Sequence, residues 1–160
     1  MTSAPSAPHP RDGRVRVGSS GLSVGQFGPD VGQFGPDVVE LLLPADPAYL
    51  GVVRTACAGL GARLDLTLDE IEDLRIAVDE ACTLVLPTVR PPHDATMRLR
   101  ATFSVTADAL AVRVQGPNPA LPVETSYAWA VLEALAGDVS SGVEAGGSWI
   151  SLSHARVRAA

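Results

Sequence analysis

The sequence of 160 residues contains no lysine, since all 12 of its basic residues are arginines. The 18 acidic residues outnumber them and leave a net charge of −6. A negative protein is poorly suited to nucleic acids, because contacts between cationic side chains and phosphates dominate that binding. No apolar run approaches the roughly 18 residues that span a bilayer, and the N-terminus lacks the apolar segment of a secretory signal. These absences predict a cytoplasmic protein without membrane or direct nucleic-acid contacts.

Cysteine and histidine are too few and too scattered to predict a metal centre or a hydrolase triad. Cys57 and Cys82 fit no metal-binding or CxxC spacing, and both fall within apolar helical patterns. The histidines, at positions 9, 93 and 154, have no partner at ligand spacing. We therefore predict reduced, buried thiols and no metal site. The hydrophobic fraction of 46% is sufficient for a substantial core.

The first 37 residues differ in composition from the rest of the chain. Glycine and proline are frequent in residues 1–37, and the heptapeptide VGQFGPD occurs twice in succession over residues 24–37. Such a segment predicts a disordered tail. An alternative is a short linear motif in which Phe27 and Phe34 anchor a partner. The net charge belongs entirely to residues 38–160, which form the predicted folded domain.

Hydrophobic periodicity within the domain predicts the element order β-α-α-β-β-α-β. Strands are predicted at 39–43, 97–103, 110–114 and 149–152. One helix is predicted to begin at Asp46, a second to begin at Thr67, and a third to span Ser126–Val139. Asp46 precedes a proline, and Thr67 forms a capping box with Glu70. Two successive helices beside a mostly antiparallel sheet predict an α+β fold with the architecture of a two-layer sandwich.

The segment Glu72–Thr83 carries the most chemistry in the sequence. On a helix its acidic residues gather on one side, which is typical of a solvated face, although a glutamate near apolar neighbours is also suited to act as a general base. From Val39 onwards the chain resembles the serine-kinase-like anti-sigma factors of Gram-positive bacteria. The resemblance lies in Tyr49–Arg54 and in Asp69–Thr83, which ends in Glu-Ala-Cys-Thr. It implies the GHKL (histidine-kinase-like ATPase) fold.

The same resemblance implies that the ATP site has degenerated. Leu84 stands where the kinases carry the asparagine that binds Mg²⁺, and an alkyl side chain cannot coordinate a metal. Gly116 to Asn118 replace an acidic adenine-binding motif, and Ser126 to Trp129 replace a Gly-x-Gly turn. We expect neither ATP nor Mg²⁺ as a cofactor and no kinase activity, with Glu80 as a remnant general base. The degenerate pocket is implied at Glu80, Thr83, Leu84, Gly116, Asn118 and Tyr127.

Partner binding is the function that this resemblance leaves in place. In the family, an RNA polymerase sigma factor and a STAS-domain anti-anti-sigma factor compete for a surface on the first helix. Arg54 matches the family's arginine there, and Asp46 and Tyr49 are further candidates. The resemblance implies a homodimeric anti-sigma factor that the STAS-domain protein releases from its sigma factor by partner switching.

Two other functions stay open from the sequence. One is an active protein serine kinase that phosphorylates the anti-anti-sigma factor. The other is a metabolite-sensing regulator whose remnant pocket takes a small anionic or phosphorylated ligand. In the second case Arg75, Arg98 and Arg100 are candidate countercharges.

Overall fold

We describe residues 36–88, 96–123 and 126–156 in a computed structural model. The predicted tail with its repeat, Phe27 and Phe34 lies outside these residues except for Pro36 and Asp37. Within the described ranges, no helix combines the length and apolarity needed to cross a membrane.

The described residues form a five-stranded sheet and helices that lie between its strands along the chain. The elements are β1 (Asp37–Pro44), a 3₁₀ turn (Pro47–Tyr49), α1 (Leu50–Arg63), α2 (Leu68–Val85), β2 (Arg98–Val105), β3 (Ala109–Gly116), α3 (Tyr127–Leu135), β4 (Asp138–Glu144) and β5 (Gly147–Ala155). This is the predicted order with one additional strand, β4.

Both predicted helix starts are confirmed. The Asp46 carboxylate accepts a hydrogen bond from the backbone N–H of Ala48 at 2.9 Å, and the 3₁₀ turn continues directly into α1. At α2, the Thr67 N–H donates to Glu70 Oε2 at 2.7 Å, and the Glu70 N–H donates back to Thr67 Oγ1. The backbone hydrogen bond from Thr67 is the main reason that the pKa of Glu70 lies below its usual value. These caps fix where each helix begins.

The sheet has the order β1-β2-β3-β5-β4, and every neighbouring pair is antiparallel. Alternate residues of the three inner strands, β2, β3 and β5, are buried, as in Leu99, Ala101 and Phe103 of β2. They pack with fully buried helical residues such as Leu74 and Leu132. The core therefore lies between one sheet face and the helices, which confirms the predicted two-layer α+β sandwich.

The predicted third helix is too long. It ends at Leu135 rather than at Val139, because the Gly137 N–H donates to the Ser153 carbonyl at 3.0 Å and draws the chain into the sheet. A Cβ at Gly137 would lie 2.7 Å from that carbonyl oxygen. Val139 then lies in β4 and pairs with Leu152 of β5. Its apolar side chain satisfies helical and strand periodicity alike, so the spacing alone did not distinguish them.

The two cysteines are buried where α1 and α2 contribute to the core. Cys57 and Cys82 have no exposed surface and form no disulfide. Burial raises the pKa of each thiol to about 12. Because the thiolate is the reactive form of cysteine, these side chains act as small apolar residues, which confirms the prediction of buried thiols.

Candidate functional site

Five of the residues predicted for the pocket and the partner interface line two separate spaces beside α2. The first, here called the helix recess, lies between α1 and α2 and is lined by Arg54, Glu72, Arg75, Ile76, Asp79 and Glu80. The second, here called the terminal cavity, lies at the C-terminal end of α2 and is lined by Thr83, Leu84, Leu86, Thr88, Asn118, Ala120, Leu121 and Pro122. Glu80 therefore lines a different space from Leu84 and Asn118.

The helix recess encloses about 260 Å³ and is mostly charged. Arg54 Nη1 of α1 lies 3.1 Å from Asp79 Oδ1 of α2, with side chains that are 43% and 36% exposed. Arg75 forms a second ion pair with Glu72, one turn earlier on α2. Glu80 forms no hydrogen bond or ion pair with any residue that the structure describes. The recess thus holds charged groups that remain accessible to a partner.

The other two predicted partner-binding residues do not line the recess. Asp46 caps the 3₁₀ turn before α1, which gives its carboxylate a structural contact. Tyr49 is 42% exposed at the start of α1. Arg54 is accompanied instead by the half-exposed side chain of Ile76. Sequence reasoning missed Asp79 as a contact of Arg54, although the signal was present: an arginine and an acid on two successive amphipathic helices.

The terminal cavity has about 430 Å³, and none of the described residues that line it is charged. Asn118, in the loop after β3, closes one side of it. Its backbone N–H donates to the Val85 carbonyl at 3.0 Å, and its Nδ2 donates to the Leu84 carbonyl at 2.7 Å. The Asn118 side chain is therefore engaged with the end of α2, while the Leu84 side chain packs partly against the core.

Two glycines allow the backbone segments behind the cavity to approach each other. A Cβ at Gly116 would lie 2.3 Å from the Val85 carbonyl oxygen. A Cβ at Gly147 would lie 1.9 Å from the Gly116 carbonyl oxygen, and the φ of Gly147 is +140°. Gly116, predicted as a pocket residue, thus serves as a close contact between β3 and α2.

The implied place of Tyr127 in the degenerate pocket is wrong, because its side chain is 86% exposed. Ser126 caps α3, and the buried side of this short helix consists of Trp129 and Leu132. Tyr127 precedes Trp129 by two residues, which is about 200° of helical rotation. Its ring therefore points away from the core rather than into the space beside α2.

The three candidate countercharges do not meet at the terminal cavity. Arg75 lines the helix recess. Arg98 and Arg100 alternate with buried Leu99 on β2 and so lie on the outer face of the sheet, where Arg100 pairs with Glu40 at 3.2 Å. No group of three or more potential metal ligands occurs among the described residues.

The chain is similar to proteins of known families. Residues 43–153 match the model of the histidine kinase-like ATPase domain. The serine-protein kinase RsbW of Bacillus subtilis is 51% identical over 45 residues, which are 28% of each chain. The anti-sigma-F factor RsbW of Mycobacterium tuberculosis is 36% identical over 105 residues, covering 64% of this chain and 60% of that protein.

The matched regions are partial. The chain spans between 28% and 60% of the length of these two curated relatives. Among solved structures, the RsbU and RsbW domains of a Mycobacterium tuberculosis protein superpose with a TM-score of 0.60 at 16% identity. That superposition covers 76% of this chain and 33% of the other, and it supports the similarity of fold.

Proposed function

The chain belongs to the histidine kinase-like ATPase domain family, and from that premise we propose that it is an anti-sigma factor without kinase activity. It binds and inhibits an RNA polymerase sigma factor, and a STAS-domain anti-anti-sigma factor releases it. A homodimer is part of the same proposal and is checked by light scattering on the purified chain.

The observation that carries the proposal is the contrast between the helix recess and the terminal cavity. At the cavity, Leu84 offers no oxygen ligand to Mg²⁺, which requires hard oxygen donors. Asn118 is bonded to the Leu84 carbonyl, and the described lining holds no cation for a phosphate. These features support the proposal that the chain does not bind Mg-ATP. The recess, by contrast, presents Arg54, a residue type that is frequent where protein interfaces bind tightly.

Binding of the sigma factor is tested by affinity capture from native lysate with the tagged full chain, with and without Mg-ATP. We expect an identified sigma factor in equal amounts under both conditions. Arg54→Glu should abolish its recovery, whereas Arg63→Glu should retain it. Arg63 is a matched control because it also lies on α1 and forms an exposed ion pair, with Asp37 at 3.0 Å. Recovery that requires Mg-ATP would restore the kinase hypothesis. If no sigma factor is recovered, the anti-sigma proposal is wrong and the similarity to the family is one of fold alone.

Kinase activity is tested separately with the STAS-domain protein recovered in the same capture. The purified chain is incubated with this protein and radiolabelled Mg-ATP, and we expect no phosphorylation. Glu80 has no described partner and is the remaining candidate base. Label transfer that Glu80→Ala removes would show that the site is active and that the non-enzymatic proposal is wrong.

A second candidate function is supported by the volume of the terminal cavity. About 430 Å³ is within the range of small-molecule sites. Because its described lining is uncharged, it is better suited to a neutral ligand than to the anionic one expected from the sequence. A thermal-shift screen that compares the chain with Leu121→Trp, which narrows the cavity, tests this function. A ligand that stabilises only the unsubstituted chain would support it.

A further inference from the structure

We propose that Asp79 is the positioning residue for Arg54: it holds the guanidinium so that a carboxylate of the partner can bind the N–H groups left free. This inference rests on the proposed function at the helix recess and adds the chemistry by which the partner is recognised. The recognised feature is an acidic side chain on the sigma factor, placed next to an apolar contact at Ile76.

The contact between the two side chains uses a small part of the binding capacity of Arg54. Arg54 Nη1 donates to Asp79 Oδ1 at 3.1 Å, and Arg54 makes no other hydrogen bond to the residues that the structure describes. A guanidinium carries five N–H donors, and its planar edge binds a carboxylate through two parallel hydrogen bonds. Four donors therefore remain for a second carboxylate.

The second terminal nitrogen of the guanidinium, Nη2, lies beside Gly51 of α1. The atom nearest to a hypothetical Cβ at Gly51 is Arg54 Nη2, at 3.9 Å. Since glycine has no side chain, nothing from this position of α1 lies over Nη2. The Arg54 side chain is 43% exposed, so a partner can approach it from solvent.

Asp79 is well placed to restrain a long side chain. Its neighbours on α2, Val78 and Ala81, are fully buried, so the backbone that carries Asp79 is fixed in the core. An unrestrained arginine loses rotamer freedom when it binds, and prior immobilisation removes that loss from the binding step. Exposed ion pairs contribute little to folding stability. The pair is therefore better explained by binding than by stability.

The test is a double-substitution cycle on the full chain, with the purified sigma factor identified by the capture experiment. Calorimetric titration compares the original chain with Arg54→Ala, Asp79→Ala and the double variant. We expect Asp79→Ala to weaken binding about fivefold, and to have no further effect when Arg54 is already alanine, because coupled residues are not additive. Asp79→Asn should restore most of the affinity, since its amide oxygen still accepts a hydrogen bond from Nη1.

Asp37→Ala provides the matched control. It breaks a second Arg–Asp contact of α1, at Arg63, and should leave the affinity unchanged. Thermal unfolding of each variant confirms that it is folded.

Three results would overturn the inference. An equal loss from Asp79→Ala in both backgrounds means that Asp79 contacts the partner itself. Tighter binding by Asp79→Ala means that Asp79 competes with the partner for Arg54. Unchanged binding by Arg54→Ala places the interface elsewhere while the anti-sigma function stands. Failure of the proposed function is distinguishable from these, because the original chain would then bind no sigma factor.

Discussion

The helix recess and the terminal cavity both lie beside α2, but different interactions join α2 to its neighbours at the two places. In the recess, α1 and α2 are linked by the Arg54–Asp79 ion pair between half-exposed side chains. At the cavity, the end of α2 is linked to the loop after β3 by two hydrogen bonds from Asn118 to backbone carbonyls. Gly116 adds a backbone approach too close for any Cβ.

This difference predicts that binding and stability depend on different parts of one helix. Exposed ion pairs exchange readily with solvent or with a partner's charges, so they suit a surface that must bind and release. Part-buried hydrogen bonds and close backbone contacts are costly to break and suit a permanent junction. Substitutions at the cavity should therefore change the free energy of unfolding, and substitutions in the recess should change binding.

The largest effect is expected from Gly116→Ala. The new Cβ would meet the Val85 carbonyl oxygen at 2.3 Å, and because that atom belongs to the backbone, β3 and α2 must separate. We expect a loss of about 3 kcal/mol in the free energy of unfolding, measured by urea denaturation. Gly59→Ala is the control, since a Cβ there meets nothing within 4 Å and should stabilise α1 by about 0.5–1 kcal/mol. If Gly116→Ala were as stable as the original chain, the approach of β3 to α2 at Gly116 would not be what limits this position to glycine.

Local signals explain how much of the fold could be predicted. Asp46 and the Thr67–Glu70 pair determine their helix starts through contacts within three residues, so the sequence reveals them directly. The buried alternation in β2 is equally local. The strand β4 could not be found in this way. Its start depends on the hydrogen bond from Gly137 to Ser153, which is distant in sequence and forms only in the assembled sheet.

An intermediate effect is expected from Asn118→Ala. The substitution keeps the backbone hydrogen bond to Val85 but removes two side-chain hydrogen bonds, from Nδ2 to the Leu84 carbonyl at 2.7 Å and from the Ala120 N–H to Oδ1 at 3.4 Å. The bond to Leu84 is part-buried, and its loss should lower the free energy of unfolding by about 1–2 kcal/mol, whereas the long, exposed bond from Ala120 should contribute little. Sigma-factor binding should not change, which calorimetric titration checks.

Asn118→Asp sharpens the same experiment. A carboxylate cannot donate to the Leu84 carbonyl but can still accept a hydrogen bond from the Ala120 N–H, so a loss of stability in this variant reports on the hydrogen bond to Leu84. If Asn118→Asp were as stable as the original chain, the amide hydrogen bond would not be what joins the loop to α2.

The candidate site was less predictable than the fold, because the packing of α2 against its neighbours decides which space each site residue lines. Glu80 and Leu84 are one turn apart, and their spacing places them together on any helix diagram. Only the position of α1 shows that Glu80 lines the recess with Arg54. Tyr127 could not be assigned either, because its exposure depends on which side of α3 faces the core.

The smallest effect on stability is expected from Arg54→Ala, and this variant tests the recess side of the comparison. The Arg54–Asp79 pair is a single contact at 3.1 Å between partly solvated side chains, and such pairs contribute about 0–1 kcal/mol. Removal of Arg54 leaves Asp79 in a recess where water can replace the guanidinium, so no buried charge is stranded. We expect the free energy of unfolding to change by less than about 0.5 kcal/mol, while the affinity for the sigma factor falls most among the single alanine variants. A stability loss as large as that of Asn118→Ala would make the ion pair a structural link like the one at the cavity. The helix recess and the terminal cavity would then both contribute to stability, and the comparison between them would fail.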